Sequence, residues 1–240
     1  MSGLDIISKL RQEAFNQETE EKLLSHPYLK AAESGTLTLP QRQAFATEQY
    51  HIQLSDARSF AVLAGHQGFA PSTLTGTSAP EAKSDKMDLF QFLLGGEVYA
   101  SPLLLDYAKK LGLDETALQT STPLNAKSQA YPSYWARLAL SGNRAAGAAA
   151  CAVNFPAWGA MCRKLLDALT DGEAYEEYST EDDAALAFVK FFATPIDDLD
   201  KMAAAIIDDE NVTYEEIIEP VRLLQQYEVL FWDGIFEATN

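Results

Sequence analysis

The chain is short of the residues that usually carry metal and thiol chemistry. Its 240 residues include two cysteines, Cys151 and Cys162, and three histidines, His26, His51 and His66. Two thiols cannot build a disulfide framework or a thiolate zinc site, and with so few imidazoles any metal site would have to lean on carboxylates. Positive charge is scarce as well: 18 Lys plus Arg stand against 35 Asp plus Glu, a formal charge of −17. Phosphate backbones and anionic membrane surfaces are met by clusters of basic side chains, so neither nucleic acid nor membrane is expected as a partner. No apolar run approaches the roughly 18 residues that a membrane span needs. The start, MSGLDIISKLRQEAF, has no basic segment leading into an apolar one, and the expected location is cytoplasmic. Strand-like alternation is almost absent, and no Gly-rich phosphate loop, GxSxG or HExxH occurs.

What is present is helical periodicity along nearly the whole chain. Apolar spacing predicts helices at about 4–24, 26–34, 40–66, 84–111, 129–141, 143–169, 180–193, 196–208 and 213–238. Their ends carry chemical punctuation: His26-Pro27, Thr38-Leu39-Pro40, Gly112, Gly172, and Thr213 three residues before Glu216 as a capping box. Gly, Pro, Ser and Thr cluster in one substantial loop, about 65–84, read as flexible. The helices flanking it have one-sided apolar faces that need each other, so a single all-α domain is expected over residues 1–240. The acidic excess lies mainly in the second half, where a solvated face explains it. The segment RAAGAAACAVNFPAWGAM, rich in Ala and Gly, lets neighbouring backbones approach closely and reads as the central helix. Pro156 within it is expected to kink or break the helix near Ala152.

Helical wheels at about 100° per residue locate polar groups on apolar faces. On 45–63 the face of Phe45, Ile52, Phe60 and Leu63 contains Gln49 and Asp56, with Glu48 at its edge and His51 just beyond. On 93–111 the face of Leu93, Ala100, Leu104 and Leu111 contains Glu97. On 217–235 the face of Ile217, Val221, Leu224, Phe231 and Ile235 contains Glu228. Three helices thus point a carboxylate inward, and an ionised carboxylate buried without a partner costs several kcal/mol. Each is satisfied either by a neighbouring Tyr, Trp, backbone group or arginine (Arg58, Arg137, Arg144), or by convergence on a shared ligand pocket. Glu48 and His51 have the i, i+3 spacing of carboxylate-bridged di-metal centres. That centre needs the motif twice, and here it occurs once, so no metal and no cofactor is expected. His26 is expected to start a helix and His66 to end one. Cys151 and Cys162 read as buried, inert thiols.

Four stretches together resemble the haem-oxygenase-like superfamily of TenA thiaminases, PqqC and CADD-like proteins. They are HPYLKAAESGTLTLPQRQAFATEQYHIQLSDARSF, the helix ending KKLGL, the Tyr131-Pro-Ser-Tyr134-Trp135 stretch and the terminal RLLQQYEVLFWDGIF. The similarity covers about residues 18–238. It implies a helical bundle around a central ligand pocket, assembled as a homodimer or larger homo-oligomer. TenA thiaminases hydrolyse an aminomethylpyrimidine or thiamin with a central-helix Cys, an Asp that holds the pyrimidine, several Tyr and a C-terminal Glu. By resemblance Glu228 matches that Glu, and Tyr131 or Tyr134 one of the Tyr. The Asp position falls on Gln49 and the nucleophile position near Ala157, which closes the covalent route. CADD-like oxygenases match at Glu97, but their next ligand falls on Ala100 or Ser101 and their central Glu near Val153 or Asn154. Their later His/Asp/His set meets a helix with no His. PqqC relies on more His than this chain has.

The expectation is therefore a pocket for a small aromatic or heterocyclic ligand, with Glu228 as general acid/base or anchor for an amino group. Glu48, Gln49, His51, Asp56, Glu97, Tyr131, Tyr134, Asn154 and Trp158 complete the candidate ligand-binding set. Two other readings stand beside it: a non-catalytic binding or partner protein on the same fold, and a thiaminase-like hydrolase or metal oxygenase with atypical residues.

Overall fold

The computed structural model describes residues 1–65, 88–121, 123–171, 174–175, 178 and 183–238. The described residues form an all-α bundle. In chain order the helices are α1 (Gly3–Gln12), α2 (Ala14–Leu24), α3 (Pro27–Glu33), α4 (Leu39–Leu63), α5 (Leu89–Lys110), α6 (Glu115–Thr120) and α7 (Ala126–Ser141). They continue with α8 (Arg144–Thr170), α9 (Ala187–Ala193) preceded by a 3₁₀ turn at Ala184–Leu186, α10 (Leu199–Glu210) and α11 (Tyr214–Phe236). None of these helices is long and apolar enough to cross a membrane. His66 and all of the loop predicted at 65–84 except Gly65 lie outside the described residues.

The starts and stops follow local chemistry. Thr38 and Gln41 form a capping box at α4. His26 caps α3 through Nδ1, which accepts the Tyr28 N–H at 3.1 Å, and Pro27 occupies the first turn, where no N–H is needed. Glu216 accepts the Thr213 N–H at 2.7 Å at the start of α11. Gly142 ends α7 at φ 66°, a left-handed conformation that glycine adopts without steric cost.

Three expectations need correction. The helix predicted at 4–24 is interrupted at Glu13, whose extended backbone turns the chain between α1 and α2. The Asn16 amide holds the turn by donating to the Leu10 carbonyl at 2.5 Å. The short α6 was not expected; Asp114 caps it, accepting the Ala117 N–H at 2.7 Å, and only Leu118 is buried. Finally, α8 runs from Arg144 to Thr170 without a break at Pro156. A proline removes the donor to the carbonyl four residues earlier, here that of Ala152. Arg11 supplies the missing donor from α1, at 2.6 Å to the Ala152 oxygen, while also forming an ion pair with Asp200 of α10.

The Ala-rich α8 is the central helix, packed against α1, α2, α3, α7, α9, α10 and α11. On the other side α4 packs against α5, α7 and α11, so the helices flanking the 65–84 segment do cover each other's apolar faces. Small residues set the spacing around α8: a Cβ on Gly147 would stand 3.0 Å from the Phe90 ring and 3.3 Å from the Trp135 ring. Both rings are fully buried and have nowhere to retreat. Gly147→Val is therefore expected to destabilise the protein by about 1–3 kcal/mol through overpacking. Urea unfolding checks this, and a variant as stable as the parent would contradict the close packing described.

Candidate functional site

A cavity of about 1260 Å³ lies among α4, α5, α7, α8, α9, α10 and α11. The sequence makes room for it. Gly96 and Gly159 line the cavity, and Phe92, Phe155, Trp158, Phe192 and Phe231 give it aromatic walls. A Cβ on Gly159 would stand 3.2 Å from the Phe192 carbonyl oxygen, so this glycine lets α9 approach α8. It reaches the surface along the segment 194–201, where Thr194, Pro195, Asp197 and Asp198 are exposed. The lining cations are Arg163, near Asp167, and Lys201, bonded to Asp198 at 2.6 Å; both are at least partly exposed.

Inside, three helices each contribute one carboxyl group: Asp56 from α4, Glu97 from α5 and Glu228 from α11. Burial pushes all three up. Glu228 rises to about 7, although hydrogen bonds from Trp232 and Asn154 oppose the shift; the Trp232 indole N–H lies 2.8 Å from Oε1. Glu97 rises to about 8, opposed by the Gln53 amide, which donates to Oε2 at 3.3 Å. Glu97 keeps some accessible surface as a cavity-lining residue, yet protein packs densely enough around its carboxyl to disfavour the charge. Asp56 rises well above the usual carboxylate range through burial and the negative potential of Glu97 and Glu228. Tyr131, also lining the cavity, donates its hydroxyl to Asn154 Oδ1 at 3.1 Å, and Asn154 donates to Gln225 at 2.8 Å. Its phenol is pushed up by burial and by Glu228 and Asp56. The arrangement can exchange protons near neutrality and can accept donors from a ligand.

Of the residues singled out in the sequence, Gln49, Asp56, Glu97, Tyr131, Trp158 and Glu228 line the cavity. Asn154 does not line it but ties Tyr131 to Glu228. Three do not reach the cavity. Glu48 accepts the Asn125 N–H at 2.7 Å and the Gln129 amide at 2.5 Å, which makes it a clamp on the start of α7. His51 bonds the Leu118 carbonyl at 3.0 Å and holds α6. Tyr134 packs against Tyr227 and Arg137, away from the carboxyls. Sequence reasoning missed Gln53, Gln225 and Trp232. Spacing could have found them: Gln49, Gln53 and Asp56 recur at i, i+4 and i+7 on one face of α4, and Gln225, Glu228 and Trp232 at i, i+3 and i+7 on one face of α11.

The donor set does not fit a metal centre. Glu48 and His51 are engaged elsewhere, and no group of three His, Cys, Asp or Glu side chains able to hold a metal ion occurs among the described residues. Nor does a thiol stand at the cavity: Cys151 and Cys162 are buried outside its lining, and burial pushes both thiols up. The α8 residue that meets Glu228 is Asn154, one turn before Ala157, where the resemblance put the nucleophile position.

A model of the TENA/THI-4/PQQC family matches residues 15–238. The chain belongs to that family. Among solved structures, the TenA homologue protein from P. horikoshii OT3 is 18% identical, with 98% of this chain and 99% of that chain covered at a TM-score of 0.68. A protein described as a TenA family transcription regulator from Silicibacter sp. TM1040 is 15% identical, with 97% and 96% covered at a TM-score of 0.66. At these identities the likeness shows the TenA fold. No curated protein sequence matches.

The raised carboxyls of this TenA-family chain have a consequence for stability. A folded Glu97 near 8 against an unfolded value near 4.5 means that the native state binds more protons than the unfolded state between those limits. Its favourable contribution is full below about 4.5 and is lost as pH rises through about 8. Glu97→Gln removes that loss, so at about pH 8 the variant is expected to be more stable than the parent by about 1–3 kcal/mol, and near-equal at about pH 5. Comparing variant with parent cancels His26, whose lowered pKa acts in the opposite direction. Denaturant unfolding across this range checks it; an identical pH slope in both proteins would contradict it.

Proposed function

We propose that the protein binds a small aromatic or heterocyclic ligand carrying an amino group, and that Glu228 exchanges a proton with it. The observation that carries this reading is the meeting of Glu228, held near neutrality, with aromatic walls at the cavity. A flat ring can lie against aromatic walls such as Trp158 and Phe231, which pack edge to face on one another, and its amino group or ring nitrogen finds a carboxyl oxygen in a poorly solvated setting. A group with a pKa near the working pH passes a proton in either direction with little penalty. The proton moves between Glu228 and the ligand nitrogen, and the anion left on Glu228 is held by the Trp232 indole and the Asn154 amide. Attack by a cysteine is not part of the proposal, because neither thiol lines the cavity. The homodimer or larger homo-oligomer implied by the family resemblance belongs to the same proposal, and light scattering reads it directly.

The test is calorimetric titration with 4-amino-5-aminomethyl-2-methylpyrimidine and with its 5-methyl analogue, which lacks the side-chain amine. The amine is expected to bind more tightly. Glu228→Gln is expected to weaken it by about tenfold or more, as when a charge-assisted hydrogen bond is lost, while changing stability by no more than about 1–2 kcal/mol. Equal affinity of parent and variant would overturn the role of Glu228. Absence of binding by both pyrimidines would overturn the ligand class.

A further inference from the structure

Glu228 has donors from Trp232 and Asn154; the Asp56 and Glu97 pair has unmet hydrogen-bonding capacity of its own. Asp56 is 4% exposed and lines the cavity, yet its Oδ1 has no hydrogen-bond partner. Gln53, 3% exposed and one turn earlier on α4, gives its amide N–H to Glu97 and leaves Oε1 without a partner. Turning the amide over would exchange the two atoms and still leave one end unmatched. A buried polar atom left unsatisfied costs about 1–3 kcal/mol, so Asp56 Oδ1 at the cavity, with Gln53 Oε1 outside its lining but one turn away, marks a place built for something else to complete. With Gln53 donating to Glu97, both unmet atoms are oxygens, and with Asp56 ionised they ask for a ligand group rich in N–H donors.

We infer that Asp56, Glu97 and Gln53 form a second polar subsite, distinct from Glu228, that takes a planar amidinium or guanidinium group. The charged groups bearing on Asp56 are Glu97 of α5 and Glu228 of α11, and the titratable Tyr131 of α7 and Cys151 of α8 sense it in turn; none of these is a cation. A cation entering there meets no repulsion and neutralises the carboxyls' mutual repulsion. The neighbouring walls, Ile52, Leu93 and Phe92, are apolar. A delocalised planar cation is more weakly hydrated than an ammonium and stacks on aromatic faces, so it enters such walls at lower cost. Its several N–H groups match the acceptor oxygens of Asp56 on α4 and Glu97 on α5, with Gln53 holding Glu97 in place. Entry of the cation converts the carboxyls to their ionised forms, and the protons leave to solvent.

This inference rests on the proposed ligand-binding role of the cavity and deepens it. The test uses the full chain with benzamidine as probe and benzamide as its neutral counterpart, by calorimetry. Benzamidine is expected to bind, benzamide at least about tenfold more weakly, and Asp56→Asn or Glu97→Gln to cost about tenfold or more in benzamidine affinity. Parent affinity is expected to rise by about tenfold between about pH 6 and pH 8, with proton release visible as a dependence of the heat on the buffer. Equal binding of the two probes overturns the subsite. So does benzamidine affinity that falls in Glu228→Gln but not in Asp56→Asn, a result that leaves the role of Glu228 standing. Failure of benzamidine while the aminomethylpyrimidine binds rejects this subsite alone; failure of every aromatic probe rejects both readings. The isosteric Asn and Gln substitutions keep the fold, and the pH dependence of the unaltered protein gives a reading that needs no variant.

Discussion

Three carboxyl groups from three helices are buried around one cavity without a cation among them. That constraint organises the interior. A stable core would place leucine at Asp56, Glu97 and Glu228, since burying an acid costs free energy that packing does not return. The bundle instead tolerates the acids by two devices. It raises their affinity for protons, to about 8 at Glu97 and about 7 at Glu228. It also supplies amide and indole donors from Gln53, Asn154 and Trp232. Neither device satisfies Asp56 Oδ1.

The rest of the molecule holds this arrangement in place. The Ala- and Gly-rich α8 allows seven helices to reach it closely. Pro156, which lines the cavity, is accommodated because Arg11 replaces the hydrogen bond it removes. Membership of the TENA/THI-4/PQQC family accounts for the bundle. The pocket chemistry is a separate matter, because fold and reaction are not tied. The α8 residue that meets Glu228 is Asn154, and the described residues offer no group of His, Cys, Asp or Glu able to hold a metal ion.

Much of this was legible in the sequence, and the gaps have physical reasons. Wheel positions identified Gln49, Asp56, Glu97 and Glu228 as inward, because helical periodicity reports directly which face is buried. The wheel put Glu48 at the edge of the inward face of α4 and His51 just beyond it; a wheel gives direction only, and their partners, the start of α7 and the end of α6, depend on how other segments fold back. A break at Pro156 was among the expectations because the remedy, Arg11, lies 141 residues away in sequence. The turn at Glu13 was hidden because residues on both sides keep a helical pattern. Gln53 and Gln225 were overlooked as uncharged residues, although their spacing placed them beside Asp56 and Glu228.

The cavity acids hold protons near neutrality when no ligand is bound. Carbon-13 NMR titration of the side-chain carboxyls of the ligand-free protein, with Glu97→Gln and Glu228→Gln for assignment, measures this directly. Two glutamate resonances are predicted to titrate far above the rest, near the values of about 8 for Glu97 and about 7 for Glu228. If every glutamate instead titrates close to its ordinary value of about 4.5, the carboxyls are compensated in the folded protein and the cavity holds no protons near neutrality.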